Sequence, residues 1–200
     1  MNAQKVVLAS TNAGKIREIR AILEPMNIEL LSMAEFNIPS IEEPYDTFVE
    51  NALAKARAVS AYTKLPALAD DSGLCVLALD YQPGVQSAHF AGKNASDQAN
   101  NQKLLSMLKD QENRHAFFYC VLVMVQAEND PQPIIVDGRW FGKIAYKPVG
   151  NNGFGYDPIF YPDGQTVTSA QLDLEQKNQM SHRAIALQKL IEEVQHLKKR

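Results

Sequence analysis

Between Phe117 and Val125 the chain reads Phe-Phe-Tyr-Cys-Val-Leu-Val-Met-Val, an almost unbroken apolar stretch rich in β-branched and aromatic residues. A strand wetted on one face alternates polar and apolar residues. This run does not, so it belongs at the centre of a sheet. Asn129-Asp130-Pro131 then supplies a turn, and Ile134-Ile135-Val136 begins the returning strand of a hairpin. Val6-Val7-Leu8-Ala9 reads as another buried strand, and Glu29-Leu30-Leu31 as a further one.

The strand at Val6 leads through Ser10, Thr11, Asn12, Ala13, Gly14 and Lys15 into a helical pattern of Ile16, Ile19, Ile22 and Leu23. Strand, small-residue loop and helix leave backbone N–H groups and a lysine at a helix N-terminus, an arrangement that binds phosphate. The spacing is not that of a Walker loop. A plain βα turn with an exposed lysine fits the same residues. After a polar loop from Asn37 to Asp46, Thr47-Phe48-Val49-Glu50 has the form of a capping box. The helix it opens should run to about Thr63 and bury Phe48, Ala52, Ala56 and Val59. Asn51 and Lys55 share another face of it, where solvation is the ordinary outcome.

Ala67-Leu68-Ala69-Asp70-Asp71-Ser72-Gly73-Leu74 is the most chemically loaded stretch. Read as a strand ending in two carboxylates, it delivers acidic groups to a loop at a sheet edge, where open α/β folds place ligands. Side chains alternate along an extended chain, so one aspartate can face a site while the other braces the turn. A surface turn accounts for the same residues. Pro83 to Gly92 reads as a loop, and Asp97 to Lys109 as an amphipathic helix. In Gly150-Asn151-Asn152-Gly153-Phe154-Gly155-Tyr156-Asp157-Pro158, glycines bend the backbone and aromatic faces are held out, as in a stacking platform for a base. Aromatics capping the core are the other reading. Ser181 would cap a last helix with Ala184, Leu187, Leu190, Ile191 and Val194 inward. His182 and Arg183 then sit in its first turn, where cations oppose the helix dipole, and Lys177 lies just before.

Two hundred residues suffice for one domain, or one domain with two lobes. A net charge of −3 argues against a nucleic-acid polymer as partner. No apolar run approaches the roughly 18 residues that a membrane span needs. Cys75 and Cys120 show neither C-x-x-C nor metal-type spacing, which fits buried thiols in a reducing cytoplasm. Phosphate cradle, metal-binding carboxylates, aromatic platform and directional donors (Lys177, His182, Arg183) are together the inventory for attacking an anhydride bond of a nucleoside triphosphate.

The chain resembles the inosine triphosphate pyrophosphatase family, the dITP/XTP pyrophosphatases of non-standard purine nucleotides. STNAGKIRE, TFVENALAKA, ADDSGL, PGVQSA, GFGYDPIF and SHRA carry the resemblance, in the family's order and over nearly the whole chain. It implies an α/β fold, an elongated mixed β-sheet in two lobes flanked by helices, with an active cleft between the lobes. The chain would be a single domain over 1–200 and a homodimer. It would use Mg²⁺ to hydrolyse ITP, dITP and XTP to the monophosphate and pyrophosphate. Carried over residue by residue, Ser10 to Lys15 would hold the triphosphate, Asp71 would be the catalytic carboxylate, a proton acceptor and metal ligand, and Ser72 a substrate contact. Phe154, Gly155, Tyr156, Asp157, Lys177, His182 and Arg183 would form the nucleoside pocket. Glu42 and Glu43 both fit the remaining metal ligand, with Glu42 favoured, and Lys55 would face the phosphates.

Donors such as Arg183 would read the 6-oxo group of hypoxanthine or xanthine against the 6-amino group of adenine. His89 and Val149 depart from the family's pattern at the cleft edge. A pyrophosphatase of modified pyrimidine nucleotides and a non-catalytic nucleotide sensor are the competing functions.

Overall fold

The computed structural model describes residues 4–23, 26, 28–39 and 41–198. Ser40, inside the loop read between Asn37 and Asp46, lies outside them. Six strands form one mixed sheet in the order β2-β1-β3-β4-β5-β6. They are β1 (Gln4–Leu8), β2 (Ile28–Ser32), β3 (Ala67–Val76), β4 (His115–Val125), β5 (Ile134–Ile144) and β6 (Phe160–Pro162). β1 runs parallel to β2, with Val6 opposite Leu30, and parallel to β3, with Val7 opposite Ala67. β6 is antiparallel to β5. The helices are α1 (Ala13–Leu23), α2 (Phe48–Thr63), α3 (Asp97–Met107), α4 (Leu174–Met180) and α5 (His182–Lys198). This is the α/β architecture with a mixed sheet that the resemblance implies.

The chain divides into two compact units. One takes the described residues of 1–71, 120–138 and 183–200; the other takes 72–119 and 139–182. In the first, Val6, Leu8, Leu68, Cys120, Leu122 and Met124 meet Ile19 and Leu23 of α1 and Ala186, Leu187 and Leu190 of α5. The alternate strand residues Val7, Ala67, Ala69, Val121 and Val123 are buried too, as the absence of polar alternation requires. In the second unit Phe118, Trp140 and Phe160 form a ring cluster, with Phe118 and Phe160 edge-to-face at 4.7 Å. Leu74, Leu104, Leu108, Ile144 and Ile159 pack around it. Arg114, also buried there, donates from Nε to Ile144 O (2.8 Å), from Nη1 to Leu108 O (2.9 Å) and from Nη2 to Ala145 O (2.7 Å).

Two expectations need correction. β3 does not end at the carboxylates but continues through Ser72 and Gly73 to Val76, with Asp70 neutralised by cations inside the sheet. The Thr47 cap forms, accepting from Glu50 N, but the Glu50 carboxylate takes the Thr47 hydroxyl. Ser181 stands immediately before α5, as expected, and also closes α4, a short helix that carries Lys177 and is capped by Asp173 with Gln176.

Candidate active site

Asp70 and Asp71 are neighbours on β3, so their side chains leave the strand on opposite sides. Asp70 is 1% exposed. Its Oδ1 is ion-paired with Lys15 from the start of α1, and its Oδ2 accepts from Arg183 Nε (2.9 Å) and Cys120 Sγ (3.1 Å). Arg183 in turn reaches Glu18 of α1 through Nη1. The result is a buried chain of alternating charge, Lys15–Asp70–Arg183–Glu18, which ties α1, β3 and the first turn of α5 together. Burial alone would raise the Asp70 carboxyl; Arg183 and Lys15 overturn that and hold it well below the usual carboxylate range. The same chain explains why a cation is tolerated at the N-terminus of α5.

Asp71 behaves in the opposite way. It is 5% exposed and accepts from Asn51 Nδ2 (3.2 Å). Burial pushes its carboxyl up to about 6; Lys55 opposes the shift, while Glu43 and Asp70 add to it. Lys55, 8% exposed, donates to the backbone O of Asp70 (2.7 Å) and is ion-paired with Glu43. Asn51 exchanges two hydrogen bonds with the main chain of Tyr45, its Oδ1 accepting from N (3.0 Å) and its Nδ2 donating to O (3.1 Å). The solvated face expected for Asn51 and Lys55 is therefore buried. Their i,i+4 spacing was the available signal; the partners they meet lie elsewhere in the sequence.

At the N-terminus of α1, Asn12 Oδ1 accepts from Gly14 N (2.9 Å) and Lys15 N (3.1 Å), and Ser10 Oγ accepts from Asn12 N (3.2 Å). Two of the donors expected to lie bare are thus capped by Asn12, and an anion at this turn would take Asn12's place or the donors left over. Thr11, Asn12 and Ala13 are exposed. Among the described residues, no group of three or more His, Cys, Asp or Glu is arranged to hold a metal. Mg²⁺ is usually held by one or two carboxylates together with substrate phosphates, so Asp71 and an exposed Glu42 fit that donor chemistry without forming a cage. Glu43 is engaged by Lys55.

In the second unit the glycine loop is built around Asp157. That carboxylate accepts from Lys177 Nζ (2.6 Å), Phe154 N (2.9 Å) and Ser169 Oγ (2.8 Å). Gly153, at φ +78°, would place a Cβ 2.0 Å from Asp157 Oδ2, so only glycine fits there. Phe154 is half-buried, with Lys177 Nζ 4.9 Å from the centre of its ring. Tyr156 is not part of a platform. At 3% exposure it lies in the core, its hydroxyl donating to Ser87 O (2.9 Å). Gly155 is held through its main chain by Asp97 and Asn101 of α3. His182 stacks on Phe118 at 4.9 Å between ring centres. Ser72, next to Asp71 on β3, is half-buried. Val149 engages Pro158 and Thr168 through its own N–H and C=O, contacts that its side chain does not alter.

Each unit thus gathers its own expected residues: Lys15, Asp71 and Arg183 in one, with Lys55 and Asn51; Phe154, Gly155, Asp157 and Lys177 in the other. Arg183 differs from expectation. Its Nε and Nη1 are engaged by carboxylates and the side chain is fully buried, which suits holding Asp70 rather than reading a base.

An α/β fold carrying a carboxylate pair among cations and a glycine-rich loop around a buried aspartate belongs with nucleotide-handling proteins. Residues 6–193 match the Ham1 family, and the chain belongs to that family. It is 49% identical over 188 residues to a dITP/XTP pyrophosphatase of Nitrosomonas europaea, covering 94% of this chain and 93% of that protein. With a dITP/XTP pyrophosphatase of Neisseria meningitidis it shares 52% over 189 residues, 94% of this chain and 95% of that one. Its fold matches the structure of a HAM1 protein from Coxiella burnetii with a TM-score of 0.91 and 47% identity, over 96% of this chain and 99% of that chain. The resemblance drawn from the six motifs is borne out.

Proposed function

We propose that this protein hydrolyses non-standard purine nucleoside triphosphates (dITP, ITP and XTP) to the monophosphate and pyrophosphate, keeping them out of DNA and RNA. The observation that carries the reading is the split pair on β3: Asp70 clamped as an anion between Lys15 and Arg183, and Asp71 lifted to about 6 beside Lys55. In the protein without metal, a carboxylate raised to that level is a stronger base than one at its ordinary value, and a bound cation would lower it again. The dITP/XTP pyrophosphatases of 49% and 52% identity support the substrate class.

In this reading Asp71 takes the proton of the water that attacks the α-phosphorus, and Asn51 holds the carboxylate in orientation. Lys15, Lys55 and the donors at the start of α1 face phosphate oxygens and counter the charge on the pyrophosphate leaving group. Phe154 stacks on the purine, and Lys177 presents a donor to its 6-oxo group, where adenine would offer another donor. Bound through Asp71 and Glu42, Mg²⁺ would supply Lewis-acid neutralisation of phosphate oxygens. The reading includes a homodimer and a reducing cytoplasm, the latter in keeping with the two buried free cysteines. A panel of dITP, ITP, XTP, dGTP, dATP and dUTP with Mg²⁺ and separate detection of pyrophosphate and orthophosphate tests it. Pyrophosphate released from the 6-oxo non-standard purines first is the expected result; orthophosphate alone, or preference for dUTP, overturns it.

A further inference from the structure

The glycine loop is held from two sides, and the proposed function uses neither support. On one side Asn152 anchors it, its N–H bonding Ala170 O (2.9 Å) and its Nδ2 bonding Leu172 O (3.1 Å). On the other, a single residue is gripped twice. Gly155, at φ +62°, gives its N–H to Asp97 Oδ2 (2.6 Å), and its C=O accepts from Asn101 Nδ2 (3.1 Å). Asp97 and Asn101 are four apart on α3 and so present side chains on one face. Around these bonds α3 and the loop line a hollow of about 800 Å³, reached by Gln98, Leu105, Asn151 and Phe154. Asp97, Asn101 and Gly155 themselves line this hollow, where the two bonds hold loop and helix in direct contact. Asn101 Oδ1 is buried without a hydrogen-bond partner, a cost that an apolar residue would avoid. Asp97 is exposed, and the α3 cap is Ser96, so the Asp97 carboxylate is not what starts the helix.

We propose that Asp97 and Asn101 are positioning residues for nucleoside binding: by fixing both main-chain groups of Gly155 they set the orientation of the adjacent Phe154 ring. They act on binding of the purine and not on the attack at phosphorus. The inference rests on the function proposed above for its substrate and on the α3–loop geometry for its mechanism.

The test compares Asp97→Ala, Asp97→Asn and Asn101→Leu with the wild type in dITP kinetics and in amide hydrogen exchange over residues 150–157 without nucleotide. Asp97→Ala should raise the KM for dITP about fivefold to tenfold and leave kcat within about twofold. Exchange in the loop should quicken while exchange in α5 stays unchanged. Asp97→Asn retains an oxygen that can accept the Gly155 N–H and should stay within about threefold of wild-type KM. Asn101→Leu should repeat the KM effect. An unchanged KM and loop exchange in Asp97→Ala, or a fall in kcat and Tm with KM unmoved, overturns the inference. If the wild type does not turn over dITP, the function reading fails, and the exchange comparison, which needs no substrate, still decides the clamp.

Discussion

At Asp71 the folded chain holds a proton that the unfolded chain has already released, between the ordinary carboxyl value of 3.8 and about 6. Stability therefore declines as pH rises across that window, by on the order of 3 kcal/mol in the protein without metal. Asp70 works the other way. Its contribution is complete above the ordinary carboxylate value and is lost as pH falls through its depressed one. Asp71→Asn should accordingly abolish pyrophosphate release yet raise Tm at pH 7.5, with a smaller gain at pH 4.5; calorimetry of the metal-free protein at both pH values checks this. An equal gain at the two pH values would mean that burial does not strain Asp71. For Arg183 the expectation is the reverse. Arg183→Met strands Asp70 and Glu18, which should cost about 3–5 kcal/mol in urea unfolding.

Elements differ in how plainly the sequence announces them. β1, its loop and α1, the Thr47-capped α2 and the β4–β5 pair were legible because their signals are local: an apolar run, a helical period, a capping residue. The seven residues of α4 hold too few apolar positions to show a period, and its start is set by the Asp173 cap. β3 looked as if it should stop at Asp70 because two adjacent carboxylates ordinarily end a buried strand. Lys15 and Arg183, far away in sequence, make its continuation possible. The burial of Asn51, Lys55 and Tyr156 is not legible for the same reason, since each is defined by a partner that local spacing cannot name. The glycine loop was legible as a loop but not in its internal logic. Gly153→Ala should collide with Asp157 and loosen Lys177 and Phe154. The expected result is a kcat/KM for dITP lowered at least about tenfold, with a Tm loss smaller than that of Arg183→Met.

Over the whole molecule, each unit has an apolar core that contains no candidate metal cluster among the described residues. Chelating divalent cations should therefore stop pyrophosphate release while Tm shifts by no more than a degree or two, unlike the collapse seen when a structural metal is removed. A large Tm loss on chelation would give the metal a folding role. In the second core, meanwhile, the guanidinium of Arg114 serves three peptide oxygens at once, from residues as far apart as Leu108 and Ala145. It works as a keystone would: a flat five-donor group whose shape, more than its charge, joins segments that share no strand pairing with one another. An ammonium in its place keeps the charge but gathers its donors at a single point, so Arg114→Lys leaves oxygens unserved at about 1–3 kcal/mol each. Such a substitution would pass for conservative in any comparison of charges, and it would be among the costliest single exchanges this half of the protein could suffer.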